Sequence, residues 1–263
     1  MITLDSTMLD IILPAFIAGL VVLSTHIPLG REVIRRGIIF IDLAVAQIAG
    51  LGVIIAYQLG WELHGLEAQF AAVSSALAGA MIMRVVEQYA GQFLEAYIGV
   101  IFVLAATSSI LLLANNPHGS EHLKELLVGQ ILWVDWPQVS VAALVSVVVL
   151  LFWYGFRGHI GNSGFYILFA VSITVSVQLV GVYLVFSSLI LPALATVSYT
   201  GKNALLIAAV IGVCGYFSGL LLSAVYDLPG GAVIVWCLAS SALAIPVLIS
   251  GFSYVNKRRQ AES

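Results

Sequence analysis

Asp42 is the one carboxylate of this sequence set in an apolar context within an expected membrane span, Gly37-Ile-Ile-Phe-Ile-Asp42-Leu-Ala-Val-Ala-Gln47-Ile-Ala-Gly50-Leu-Gly52-Val53. An ionisable group inside a membrane costs several kcal/mol and normally faces a polar path or a partner. Asp42 and Gln47 are therefore expected to border a polar translocation route. The competing expectation is that Asp42 pairs with Arg35 or Arg36 at the membrane surface. Five residues apart, the two side chains sit about 140° apart around a helix, so they make a poor two-residue metal site.

A second cluster, His118, Glu121, His122 and Glu125, lies in Asn115-Asn-Pro-His-Gly-Ser-Glu-His-Leu-Lys-Glu. On a helix His118 and His122 would be neighbours at i, i+4, a spacing that can hold zinc. Gly119 weakens a helix there and no enclosed third ligand is evident, so a solvated loop or a contact surface for an external partner is the competing expectation. Other chemistries are missing. There is no G-x-x-x-x-G-K-[ST] phosphate loop, since Gly201-Lys202-Asn203 lacks the upstream glycine and the hydroxyl. No H-E-x-x-H or G-x-S-x-G constellation occurs either. An enzymatic role has no support in these residues.

The elements that must position these groups follow from composition. Of 263 residues, 61% are hydrophobic and 9% charged, against about 25% charged in a soluble domain. Mean hydropathy is +1.09. Runs of ~20 apolar residues, enough to cross ~30 Å of hydrocarbon, follow one another along the chain. The expected fold is all-α, a polytopic helical membrane protein with eight or nine spans in one domain over residues 1–263. The spans are drawn at 8–28, 38–59, 67–84, 96–114, 137–155, 164–182, 183–199, 204–224 and 232–252. The first has Asp5 and Asp10 before it and no Lys or Arg, the wrong flank for a cleavable signal peptide, so it is expected to be retained. The stretch from Gly164 to Thr200 must turn back near Gly181, and Pro192 removes a backbone donor from its second half. One arm there is expected to be short or re-entrant.

With the N-terminus outside and alternate crossings, nine of the ten basic residues fall on one face, Lys124 being the exception. The positive-inside rule makes that face, with the C-terminus, cytoplasmic. Trp61, Trp133 and Trp136 cluster at outer span ends, where amphipathic rings prefer the headgroup region. The outer face also carries Asp5, Asp10, Glu62, Glu121, Glu125, Asp135 and Asp227, which either merely respects topology or forms an acidic vestibule that concentrates cations. Cys214 and Cys237 sit in apolar runs and read as small packing residues. Gly215 and Gly219, like Ala72, Ala76 and Ala80, are spaced for close helix packing, within the bundle or at a homodimer seam.

Four segments, in order, resemble motifs of the permease subunits of ABC importers for zinc, manganese and iron chelates. They are Arg35-Arg36-Gly37 through Gly52-Val53, Glu95-Ala-Tyr-Ile-Gly99-Val100, Leu126-Leu-Val-Gly129-Gln-Ile131-Leu132, and Val180-Gly181-Val182 through Pro192-Ala193-Leu-Ala195. Asp227-Leu-Pro229-Gly230 is a weaker fifth. The resemblance implies a bacterial inner (plasma) membrane subunit working as a homodimer in the lipid bilayer. It also implies two copies of a separate cytoplasmic ABC ATPase and an extracytoplasmic solute-binding protein, with no nucleic-acid partner. ATP would be bound and hydrolysed by the partner, with no cofactor on this chain and zinc or manganese as the carried substrate.

Two departures from the family pattern stand out. The family's second span carries an Asp followed four residues later by a His, taken as metal ligands. Aligned on Gly52-Val53, Leu43 stands where the Asp falls and Gln47 where the His falls, with Asp42 one place off. An amide is a weaker ligand for Zn²⁺ or Mn²⁺ than imidazole or carboxylate, so a chelate, or a metal held loosely in transit, is expected. The link expected to dock on the ATPase, Tyr154-Gly-Phe-Arg157-Gly-His159-Ile-Gly-Asn162-Ser163-Gly164, is shorter than the family's and glycine-rich. Arg157, His159 and Asn162 are its polar members, with 84–95 as the other cytoplasmic loop able to contribute. The alternative is a secondary carrier using Asp42 as an ion- or proton-coupled site; a non-transport scaffold is the third.

Overall fold

The computed structural model describes the backbone of residues 6–261 apart from 63–64, 118 and 157–160, and the side chains of 10–249 apart from those and Ser120, His122 and Glu125. The described residues form ten α-helices: α1 Ser6–Arg36, α2 Ile41–Gln58, α3 Leu66–Ala90, α4 Leu94–Leu113, α5 Gly119–Val128, α6 Trp136–Gly155, α7 Asn162–Val180, α8 Val182–Ala195, α9 Gly201–Tyr226 and α10 Gly230–Ala261. Each drawn span finds its helix. Seven apolar helical stretches are long enough to cross a membrane, one of them Leu66–Leu113, which the turn at Gly91 divides into α3 and α4. α8, with 14 residues, rises only about 21 Å. It is the short arm expected beyond Gly181.

Three helices outrun their drawn ends, α1, α3 and α10, the first for a local reason. α1 continues through the basic residues because Glu32 accepts from Arg35 at 2.5 and 2.8 Å and from Arg36 at 2.7 Å, pairs at i+3 and i+4 that hold the last turn. It stops at Gly37, whose left-handed backbone (φ 67°) lets Gly37 N–H donate to Ile34 O and Ile38 N–H to Val33 O, the paired bonds of a Schellman cap. α3 likewise runs on to Ala90, so Arg84 and Glu87 stand on a helix rather than in a loop. α6 begins where Asp135 and Gln138 form a reciprocal capping box.

α2 and α7 are the central helices, 56% and 61% buried along their spans, whereas α6 at 22% and α10 at 17% are peripheral. Around them, α8 packs on α1 and α10, α7 on α3, and α9 on α10. Tyr166, Tyr216, Phe165 and Phe169 fill the core. The buried Tyr216 hydroxyl and Ser188 Oγ, 2.8 Å apart, tie α9 to α8. A Cβ on Gly215 would meet Leu238 and one on Gly219 would meet Ile234, so that small-residue ridge is used inside the bundle, against α10.

The tightest junction joins two of the motif segments. Gly129 (φ 71°), after α5, and Gly181 (φ 81°), between α7 and α8, lie back to back. A Cβ on either would strike the other's backbone. This contact anchors the short α5 helix against the break in the α7–α8 arm.

A candidate translocation cavity

A cavity of about 560 Å³ opens between α2, α4, α5, α8 and α10. α2 contributes Leu43, Ala46, Gln47 and Gly50, positions three and four apart, so one face of that helix forms a wall. The polar members from other helices are Ser109 of α4 and Tyr183 and Ser187 of α8. Ser109 Oγ donates to Ala105 O at 3.1 Å and Ser187 Oγ to Tyr183 O at 2.8 Å. Each hydroxyl proton is thus directed to the helix's own backbone, which leaves an acceptor oxygen toward the cavity. The remaining wall is apolar, including Phe102, Phe186 and Trp236. Trp236 is 77% exposed, so the cavity's α10 side is open on a single copy of the chain.

Among the described residues the wall carries no carboxylate, imidazole or thiolate, and no group of three or more His, Cys, Asp and Glu is placed to hold a metal ion. What it offers a cation is oxygen, from one amide, two hydroxyls and a phenol. Neutral oxygen donors suit hard, weakly held cations better than they suit zinc.

The expected pair separates. Gln47 is in the wall; Asp42, in the first turn of α2, is 1% exposed and outside it. Arg35 and Arg36 are taken by Glu32 rather than by Asp42. Neither Asp42 oxygen has a hydrogen-bond partner among the described residues. Nearby, the Ile39 N–H donates to Glu95 Oε1, joining the start of α2 to α4. Leu43 and Gln47, which the resemblance aligned with an Asp and a His, both line the cavity.

Asn162 is placed at the basic end, not in an isolated loop. Its amide oxygen accepts from Arg36 at 3.3 Å and its Nδ2 donates to Glu87 at 3.4 Å. Glu87 also pairs with Arg84 at 3.2 Å and faces Arg36 at 3.9 Å, and the Arg36 guanidinium lies 4.1 Å over the Phe165 ring. This network ties α1, α3 and α7 together where the α6–α7 link ends. Glu32, the acid that organises Arg35 and Arg36, gave no signal in hydropathy; its i+3 and i+4 spacing to them was the available clue. Arg157, His159, His118 and the side chain of His122 lie outside the described residues.

The family model described as the ABC 3 transport family matches residues 8–161 and 154–249. The manganese transport system membrane protein MntC of Halalkalibacterium halodurans is 24% identical over 243 residues, covering 84% of this chain and 81% of that protein. A Chlamydia trachomatis protein described as a probable metal transport system membrane protein is 24% identical over 245 residues, covering 84% and 83%. Among solved structures, PsaBC from Streptococcus pneumoniae in complex with Fab superposes with a TM-score of 0.72 at 20% identity, covering 89% of this chain and 90% of that one. At that identity the superposition speaks for the fold.

Proposed function

Because the chain belongs to the ABC 3 transport family, we propose that it is the permease subunit through which a divalent transition metal, or a chelate of one, crosses the membrane. The carrying observation is that Leu43 and Gln47, one helical turn apart on α2, both face the 560 Å³ cavity. This supports a conduit along that face of α2, with donors changed from those of the family pattern. With amide, hydroxyl and phenol oxygens and no imidazole, the wall favours manganese, or a hydrated or chelated ion, over bare zinc. The relatives named for manganese and metal transport agree with this substrate class. The open side at Trp236 is closed by a second copy of the chain. Transport is driven by a separate ATPase docked near Asn162, Arg157 and His159, and cargo is delivered on the opposite face by a binding protein. The basic end faces the cytoplasm of a bacterial cell, the chain lying in the inner membrane.

The deciding experiment purifies the tagged chain from its native host and reconstitutes it. A P-loop ATPase copurifies in stoichiometric amount, and manganese uptake into vesicles requires ATP and that partner. Proton-driven uptake by this chain alone would replace the proposal with the secondary carrier. Inserting a bulky segment between Gly155 and Gly164 leaves ATP hydrolysis running without control by substrate; unchanged stimulation would move the coupling contact elsewhere. Asp42→Asn, which replaces a buried carboxyl group at the end of the cavity helix, lowers uptake while the complex stays assembled. Wild-type rates would take Asp42 out of the mechanism.

A further inference from the structure

A cavity of about 780 Å³ lies at the basic end, and its lining residues are separate from those of the proposed conduit. Its charged members are Arg31, Glu32, Arg35, Arg36 and Lys202. Among the described residues that line it Glu32 is the lone acid, and both its oxygens are occupied by Arg35 and Arg36. That leaves Arg31 and Lys202 without a carboxylate partner among the described residues. Arg31 donates through Nη2 to Tyr199 O at 3.4 Å, and its Nη1 is buried with no partner among the described residues. Lys202 is exposed in the first turn of α9. Thr200 caps that 26-residue helix without a side-chain hydrogen bond, so its first N–H groups add their partial positive charge to the same place.

The other walls are apolar: Pro28 and Ile34 of α1, Trp153 and Tyr154 at the end of α6, Ala193 and Val197 at the end of α8. Tyr154 and Val197 are exposed, as are their neighbours Phe152 and Leu194. A rim of exposed aliphatic and aromatic side chains at the end of apolar helices borders hydrocarbon. A water-soluble ligand would leave it bare.

We infer that this cavity is a binding site for an anionic phospholipid, its phosphate held by Arg31 and Lys202 and its acyl chains lying along α6 and α8. A basic recess between transmembrane helices with the exposed Tyr154 at its rim has the complementarity such a headgroup requires. Charge alone would equally suit free phosphate; the apolar rim selects the lipid.

The test uses the full-length chain purified in non-ionic detergent and titrated with phosphatidylglycerol, phosphatidylcholine and glycerol phosphate, with retained molecules counted by native mass spectrometry. Phosphatidylglycerol is retained in preference to phosphatidylcholine, and glycerol phosphate does not displace it. Lys202→Gln, on an exposed side chain, lowers that preference about fivefold, and adding Arg31→Gln lowers it roughly as much again. Lys202→Arg keeps it. Equal retention of the two lipids, displacement by glycerol phosphate, or an unaltered preference in Lys202→Gln overturns the inference. An acidic segment of a partner protein as the occupant would show as loss of the copurifying partner in Lys202→Gln with lipid preference intact, and that result overturns it too.

Discussion

Gly181→Ala is expected to lower the midpoint of thermal unfolding of the detergent-solubilised protein by on the order of 5–15 °C, and to reduce its yield. Gly181 has φ 81° and ψ 162°, a region open essentially to glycine alone, where any other residue costs about 1–3 kcal/mol. The new methyl would also lie 2.6 Å from Gly129 Cα and 2.6 Å from the Val128 carbonyl carbon. Those are backbone atoms with no rotamer to escape into, so overpacking adds roughly 1–3 kcal/mol. At about 2–4 °C per kcal/mol for a chain of this size, the two costs together span about 4–24 °C, and the stated shift is the middle of that range. Gly37 is the internal control, because its φ is 67° and no atom lies within 4 Å of where an alanine methyl would stand. Gly37→Ala carries only the conformational cost, about 1–2 kcal/mol. Equal melting of Gly181→Ala and Gly37→Ala would mean that the contact between the α5 segment and the α7–α8 break is absent.

Gln47→Leu is expected to cut manganese uptake by about tenfold or more, with the ATPase still bound and the thermal midpoint within a few degrees of wild type. A bond between a polar donor and a charged partner contributes roughly 1.5–3 kcal/mol, which is ten- to a hundredfold in rate when it is made at the barrier. Gln47 is the sole polar side chain that α2 contributes to the cavity wall, between Leu43 and Gly50, so nothing on that helix substitutes for it. Leucine is close in size, and the side chain is only partly buried, so packing is preserved. Gln47→His, which restores an imidazole, shifts preference from manganese toward zinc in a two-metal competition assay. Unchanged manganese uptake in Gln47→Leu would remove this cavity from the transport path.

The spans, the basic end and the interruption near Gly181 were legible because each depends on local properties. Hydrocarbon selects apolar runs, basic residues select a side, and glycine selects a backbone region. The packing partner of a given face was not legible. Asp42 and Leu43 are adjacent in the chain, yet one is enclosed in the bundle and the other lines the cavity. A helix turns by about 100° per residue, and hydropathy does not tell a helix neighbour from a cavity. Gly215 and Gly219 were open to two partners for the same reason, and the bundle uses them against α10. Asn162 looked like part of a glycine-rich link, and its role in joining Arg36 to Glu87 depends on three helices whose ends are distant in the chain.

By itself the amino-acid order determined that this chain lives in lipid, roughly where it crosses, and which end carries the positive charge, since these follow from the free energy of moving each segment between water and hydrocarbon. Only the tertiary structure decided which carboxylate is enclosed, which amide lines the 560 Å³ cavity, and that two glycines 52 positions apart in sequence touch. Those outcomes depend on how whole helices settle against one another, a sum over many distant contacts.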